Sequence, residues 1–337
     1  MNLITGATGT IGAHVALKLL LDNKPVTCIK RANSDINRTK KLFSYYTNDS
    51  EQLFQLIKWI DADVCDIYSL LDAFDGIEVV YHCAGFVTFD KSKEIELFKI
   101  NVVGTANVVN ACIEKKVSAL CHVSSIAAIN NPDIVNDISE TVYWKSSPHV
   151  GNYAISKYNG EREVWRGIEE GLNAVIVNPG IVLAPGFWNQ SSGKLFRACS
   201  KGMLFYTSGK CAFVDVQDVA TCMIELIEKK QFNNRFILSE NNYTFKEVLS
   251  KIHIEFKQTP PRFLATKYLL FAVSFLESLF RMFVKKEAML SMEGARSSMT
   301  TNTYSNQKIK STIHYSFKPI DSSIAFICGC FNKDKVK

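Results

Sequence analysis

The chain has 337 residues, 47% of them hydrophobic, which suits one large domain or a large domain with a smaller partner and excludes a disordered protein. Its net charge of +6, from 39 basic and 33 acidic residues, is dispersed in short clusters such as Lys40-Lys41 and Lys115-Lys116. No dense basic stripe of the kind nucleic acid selects is present.

The first twelve residues organise the rest. A short apolar run (Leu3, Ile4) reads as a buried strand and Thr10 to Leu21 as a helix. Between them stand Gly6, Gly9 and Gly12. Such a turn brings backbone N–H groups close to a pyrophosphate, with the positive end of the helix dipole aimed at it. Gly6 permits the tight exit from the strand, Gly9 keeps a Cβ away from the phosphates, and Gly12 lets helix and sheet pack closely.

Strands and helices then alternate, the pattern of a parallel sheet covered on both faces. Val26 to Arg31 is the second strand, and its end lies where a dinucleotide-binding protein meets the adenosine ribose. An NAD-preferring protein carries Asp or Glu there. Lys30-Arg31 instead offers cations that suit a 2′-phosphate, although two solvated charges at a strand end would look the same. A third strand, Trp59 to Val64, places Asp63 within reach of an adenine amino group, with Asp66 a candidate helix cap. Glu78 to Gly85 is a fourth strand ending in the small pair Ala84-Gly85; its His82 reads as a core histidine.

A helix is expected over 95–115, and a strand from Val117 to Val123 delivers Ser124-Ser125 to its C-terminal mouth, where ligands of open α/β sheets bind. The polar stretch 130–150 is long enough to form a lid or a wall. Next comes Tyr153-Ala-Ile-Ser-Lys157. Positions i and i+4 share a helix face, so phenol and ammonium stand one turn apart. A cation beside a phenol lowers its pKa and makes it a usable acid or base near neutrality.

The second half is mixed. Ala174 to Asn178 is a strand, 218–228 a helix, Arg235 to Leu238 a strand, and helices follow Thr244. Phe187, Trp188 and Phe205 are candidates either for a substrate pocket or for the core. Tyr268 to Val284 is apolar but short for a membrane span, and it carries Glu277 and Arg281 four apart. It reads as an amphipathic helix packed on the protein, with a membrane surface or a dimer contact as alternatives. Cys83, Cys112, Cys121 and Cys222 lie in apolar runs and read as reduced core residues. With no leader ahead of the first strand, a reducing cytoplasm is the expected compartment. Cys328-Gly-Cys330 lacks the second half of a zinc site, so no metal is expected.

Taken together, Thr5-Gly6-Ala-Thr-Gly9-Thr-Ile-Gly12, Asp63-Val64, His82-Cys-Ala-Gly85, Asn101-Val-Val-Gly-Thr105, Ser124-Ser125, Tyr153-x-x-x-Lys157, Asn178-Pro179-Gly and Phe213-Val-Asp-Val-Gln-Asp218 resemble the extended short-chain dehydrogenase/reductase family. Within it the chain is similar to the dihydroflavonol-reductase-like and 3β-hydroxysteroid-dehydrogenase-like branches, as is the ending Tyr304 to Ile320. The resemblance implies an α/β fold, a Rossmann-type doubly wound parallel sheet with a smaller, mostly helical C-terminal substrate-binding region. Residues 1–180, with returning segments around 211–240, would form the nucleotide-binding domain, and 181–337 the substrate-binding region.

It also implies a Ser125, Tyr153, Lys157 site. Tyr153 would exchange a proton with the substrate oxygen, Lys157 would hold the nicotinamide ribose and depress the Tyr153 pKa, and Ser125 rather than Ser124 would bind the substrate oxygen. Cofactor contacts would come from Gly6, Thr8, Gly9, Thr10, Ile11, Gly12, Arg31, Asp63, Val64, Ala84, Gly85, Pro179 and Ile181. Two features depart from the pattern: Gly85 replaces the second of two alanines, and Lys30 replaces the acidic residue of NAD-using epimerases. NADP is the expected cofactor, with NAD as alternative, and the expected substrate is a small carbonyl or hydroxyl compound. A nucleotide-sugar epimerase or dehydratase is the second reading, with Lys194, Arg197, Lys201 and Lys210 available to a diphosphate. A cofactor-sensing protein without turnover is the third. No nucleic-acid partner and no membrane span are expected, and a homodimer remains open.

Overall fold

The computed structural model describes residues 1–129, 131–148, 150–266, 269 and 292–335. The apolar stretch 268–284 therefore lies outside the described residues, Leu269 excepted. Among the described residues no helix is long and apolar enough to cross a membrane.

Seven parallel strands form the central sheet: β1 (Asn2–Thr5), β2 (Val26–Lys30), β3 (Lys58–Asp61), β4 (Val79–His82), β5 (Ala119–Val123), β6 (Ala174–Pro179) and, much later in the chain, Asn234–Leu238. From edge to edge they run Asn234–Leu238, β6, β5, β4, β1, β2, β3. The order reverses between β1 and β4, and at such a switch point the loops leave a crevice outside the carboxyl ends of the strands. The fold is thus the expected Rossmann-type doubly wound sheet.

Helices cover both faces because the strands are apolar on both sides. On one face α1 (Thr10–Leu21) packs beneath the sheet with the helix Val216–Glu228, sharing a core of Ile4, Leu17, Cys28, Tyr81, Val177 and Met223. On the other, α2 (Ile67–Ala73), α3 (Gly104–Glu114) and α4 (Asn152–Glu169) enclose Leu3, Val80, Leu120, Val164 and Ile176. The helix Thr10–Leu21 keeps the bounds read from the sequence. The third strand stops at Asp61, short of Val64, because Ala62 onward turns away toward α2, capped by Asp66 through Tyr68 N at 3.1 Å. The helix expected over 95–115 is broken into Glu94–Phe98, a π turn at Lys99–Val103, and α3.

Beyond residue 180 the chain adds strands as well as helices. Ile181–Leu183 pairs with Lys210–Asp215, which pairs in turn with Asn241–Thr244; Phe205–Tyr206 pairs with Phe263–Leu264. The helices Phe245–Glu255 and Ile320–Lys335 pack there around Phe196, Phe213, Ile252 and Ile324. Phe187 joins the main core, Trp188 lies edge-on to Phe331 and donates to Asp334, and Phe205 packs on Phe263.

Candidate active site

The glycine turn is built almost wholly from backbone. Gly6 has φ +69°, a left-handed conformation that a side chain resists, and a Cβ there would lie 2.6 Å from Ala84 N. A Cβ on Gly12 would lie 2.4 Å from Gly6 O. Gly9 caps α1 with no side-chain hydrogen bond, no acidic residue follows in the first turn, and a Cβ on it would press only on Gly6 O at 3.2 Å. The first N–H groups of α1 are thus left for an anion, in a cradle that Cβ atoms would fill.

A buried relay fixes the neighbouring strand end. Thr105 Oγ1 donates its one proton to Asn101 O (2.8 Å), so it accepts from His82 Nε2 (3.1 Å). His82 Nδ1 then accepts from Thr5 Oγ1 (2.7 Å), which itself accepts from Ala84 N (3.1 Å). Burial pushes His82 down to about 3, which keeps the ring neutral and the relay directional. His82 is therefore the core histidine read from the sequence, and it ties β1 to the Ala84-Gly85 turn. At Gly85 a Cβ would meet Asn101 Oδ1 at 3.5 Å and Lys157 Nζ at 3.8 Å, so the alanine of the family pattern would fit. These contacts carry the path from Gly6 through Ala84 and Gly85 to Lys157.

On α4, Lys157 is buried and donates to Val123 O at 2.7 Å, at the end of β5. Burial lowers its pKa to about 8. Tyr153, one turn earlier, is half-buried, lies beside the Ser125 side chain, and is edged by Phe89 at 5.9 Å between ring centroids. Its pKa is raised, with burial the dominant cause and the neighbouring Ser125 hydroxyl opposing it. This corrects the expectation of a phenol acidified by Lys157. The ammonium is turned to the Val123 carbonyl, and desolvation of the phenolate prevails.

The two serines divide their work. Ser124 Oγ donates to the buried Glu161 (2.8 Å), whereas Ser125 Oγ accepts from Ala127 N (3.1 Å) and faces Tyr153. Cation placement at the second strand is likewise split. Lys30 is paired with Asp61 across to β3, and among the described residues no carboxylate pairs with the exposed Arg31. Asp63 Oδ1 accepts from Cys65 N (2.9 Å); Val64 is buried, its carbonyl taken by Asn107 Nδ2 (2.9 Å). Thr8, Thr10 and Ile11 stand half-buried in the glycine turn, Pro179 is buried at the end of β6, and Ile181 packs toward the second-half core.

Sequence reading gave no role to several residues here, although Asn101 stood within one of the matching motifs. Asn101 sits in the π turn, accepts from Phe86 N (2.7 Å), and donates to Phe86 O (2.9 Å) and Ser156 Oγ (3.0 Å), latching the loop after β4 to α4. Phe89 comes from that loop. Glu161 continues the four-residue spacing of Tyr153 and Lys157, a signal available in the sequence. All ten cysteines are free thiols, and no group of metal-ligating side chains occurs among the described residues.

A Rossmann crevice with a glycine turn at its switch point defines a dinucleotide-dependent class of protein. The chain belongs to the NAD dependent epimerase/dehydratase family, whose model matches residues 2–237, and it is an NAD(P)-dependent oxidoreductase of the extended short-chain dehydrogenase/reductase type. Sterol demethylase protein B of Methylococcus capsulatus is similar at 27% identity over 253 residues, 74% of this chain and 72% of that one. Cinnamoyl-CoA reductase 1 of Petunia hybrida is 28% identical over 267 residues, 75% of this chain and 77% of its own length. The crystal structure of gox2253 superposes with a TM-score of 0.80 at 25% identity, covering 99% of this chain and 98% of that one.

Proposed function

We propose that this protein is an NADPH-dependent reductase of an aldehyde or ketone, acting through Ser125, Tyr153 and Lys157. The observation that carries the reading is the placement of Tyr153 beside the Ser125 side chain at the mouth of β5, with Lys157 one helical turn away and bound to Val123 O. A nicotinamide cofactor, when bound, would supply the hydride. Ser125 Oγ orients the carbonyl oxygen, and Tyr153 gives that oxygen its proton, leaving an alcohol. The phenol holds the proton that reduction requires. Lys157 holds the nicotinamide ribose and offsets the charge that develops on Tyr153.

Cofactor selection rests with Arg31. Lys30 is spent on Asp61, which leaves the Arg31 guanidinium to take a 2′-phosphate. Gly6, Thr8, Gly9, Thr10, Ile11 and Gly12 would cradle the pyrophosphate, Asp63 and Val64 would take adenine, and Ala84, Gly85, Pro179 and Ile181 would hold the nicotinamide end. Residues 1–180 with 211–240 hold the cofactor, and 181–337 supply most of the substrate-binding region. Phe89 beside Tyr153 favours an apolar carbonyl compound, and one similar protein is named as a cinnamoyl-CoA reductase. Arg31→Ala tests the assignment by fluorescence titration with both cofactors. NADPH affinity should fall roughly 10- to 100-fold while NADH affinity hardly moves. Equal losses would overturn the 2′-phosphate role.

A further inference from the structure

We propose that Glu161 is a positioning residue: its buried carboxylate holds the catalytic strand end in register and stands one helical turn from Lys157 as its counter-charge. Lys157 and Glu161 leave the same face of α4 one turn apart and bind adjacent residues, Val123 at the end of β5 and Ser124 after it. Lys157 Nζ donates to Val123 O. Glu161 Oε2 accepts from Ser124 Oγ at 2.8 Å and from Asn178 Nδ2 at 2.9 Å, and the same Asn178 amide donates to Ser125 O at 2.9 Å. The carboxylate therefore fixes the backbone that presents Ser125.

Its other oxygen faces a counter-charge from the far edge of the sheet. Arg235 Nη1 lies 3.1 Å from Glu161 Oε1, and Trp165 Nε1 donates to that oxygen at 3.3 Å. Arg235 also donates to the carbonyls of Glu140 and Val142, so the pair pins that segment to the edge strand Asn234–Leu238. The side chains are 2% and 17% exposed, which strengthens their field.

The titratable groups around the Lys157 ammonium are His82 and Cys83 at the end of β4, His122 on β5, Tyr153 and Glu161 on α4, and Arg235 through Glu161. Burial keeps both imidazoles neutral, and it keeps the Cys83 thiol and the Tyr153 phenol protonated. Glu161 is thus the anion among them. Burial lowers Lys157 and Glu161 works against that lowering. Arg235 competes for the same carboxylate, so the two partners should move Lys157 in opposite directions.

The inference rests on the proposed role of Lys157, and its first readout needs no substrate. Full-length protein carrying ¹³Cε-lysine is titrated by NMR, with Lys157→Met assigning the signal. Wild type should titrate near pH 8. Glu161→Gln should lower the midpoint by about one pH unit, Arg235→Gln should raise it, and Glu161→Asp should restore most of the wild-type value. Unmoved midpoints in folded variants, or shifts of the same sign in both, would overturn the proposal. If Glu161→Gln fails to fold, the upward shift of Arg235→Gln decides it alone. A moved midpoint with an unmoved alkaline limb of kcat/KM would support the role of Glu161 and remove Lys157 from the chemistry instead.

Discussion

The N-terminus of α1 and the N-terminal turns of α4 meet the same crevice, yet they are built from opposite materials. At α1 the glycine turn is backbone: a left-handed Gly6, close atomic approaches, and N–H groups without a side-chain cap. At α4 the working parts are side chains, each held by a partner far away in sequence. Glu161 alone gathers Ser124, Asn178 and Arg235 from three strands or their ends. Backbone suffices where a diphosphate needs donors and room. Proton transfer needs a particular acid at a particular atom, and only a supported side chain gives that.

That contrast can be broken by experiment, and the largest effect should come at α4. Tyr153→Phe removes one oxygen and leaves the ring. Turnover of any carbonyl the wild type reduces should fall by about 10²- to 10⁴-fold, with NADPH affinity nearly unchanged. Undiminished turnover would take Tyr153 out of the reaction. A smaller effect, of different kind, belongs to α1. Gly6→Ala must relieve contacts of 2.6–2.8 Å with the backbone at Cys83 and Ala84, in a conformation that costs about 1–3 kcal/mol. Thermal melts and NADPH titrations should both show the loss. Gly85→Ala, where the added Cβ meets ordinary contact distances, should change either quantity little. Similar losses at the two glycines would mean that the turn is less demanding than its geometry indicates.

The same contrast explains what the sequence could tell. Glycine spacing is a local code, so the turn, the bounds of Thr10–Leu21 and the switch-point fold were legible from short stretches. Tyr153 and Lys157 were legible too, since four-residue spacing fixes a helix face. The direction of the Tyr153 pKa was not. It depends on how deeply the phenol is desolvated and on the ammonium choosing the carbonyl of Val123, neither of which spacing reveals. Arg235 lies 74 residues beyond Glu161, and Lys30 finds Asp61 only once β2 and β3 pair. The π turn at Lys99–Val103 left no trace in the hydrophobic pattern because one widened turn barely shifts the period.

Whether the backbone cradle and the side-chain site serve one cofactor is decided most directly by a crystal structure of the protein with NADP⁺. The pyrophosphate should lie on the Gly6–Gly12 turn, the 2′-phosphate against Arg31, and the nicotinamide beside Tyr153 with its ribose on Lys157. A nicotinamide directed away from Tyr153, or a pyrophosphate seated elsewhere, would contradict the account.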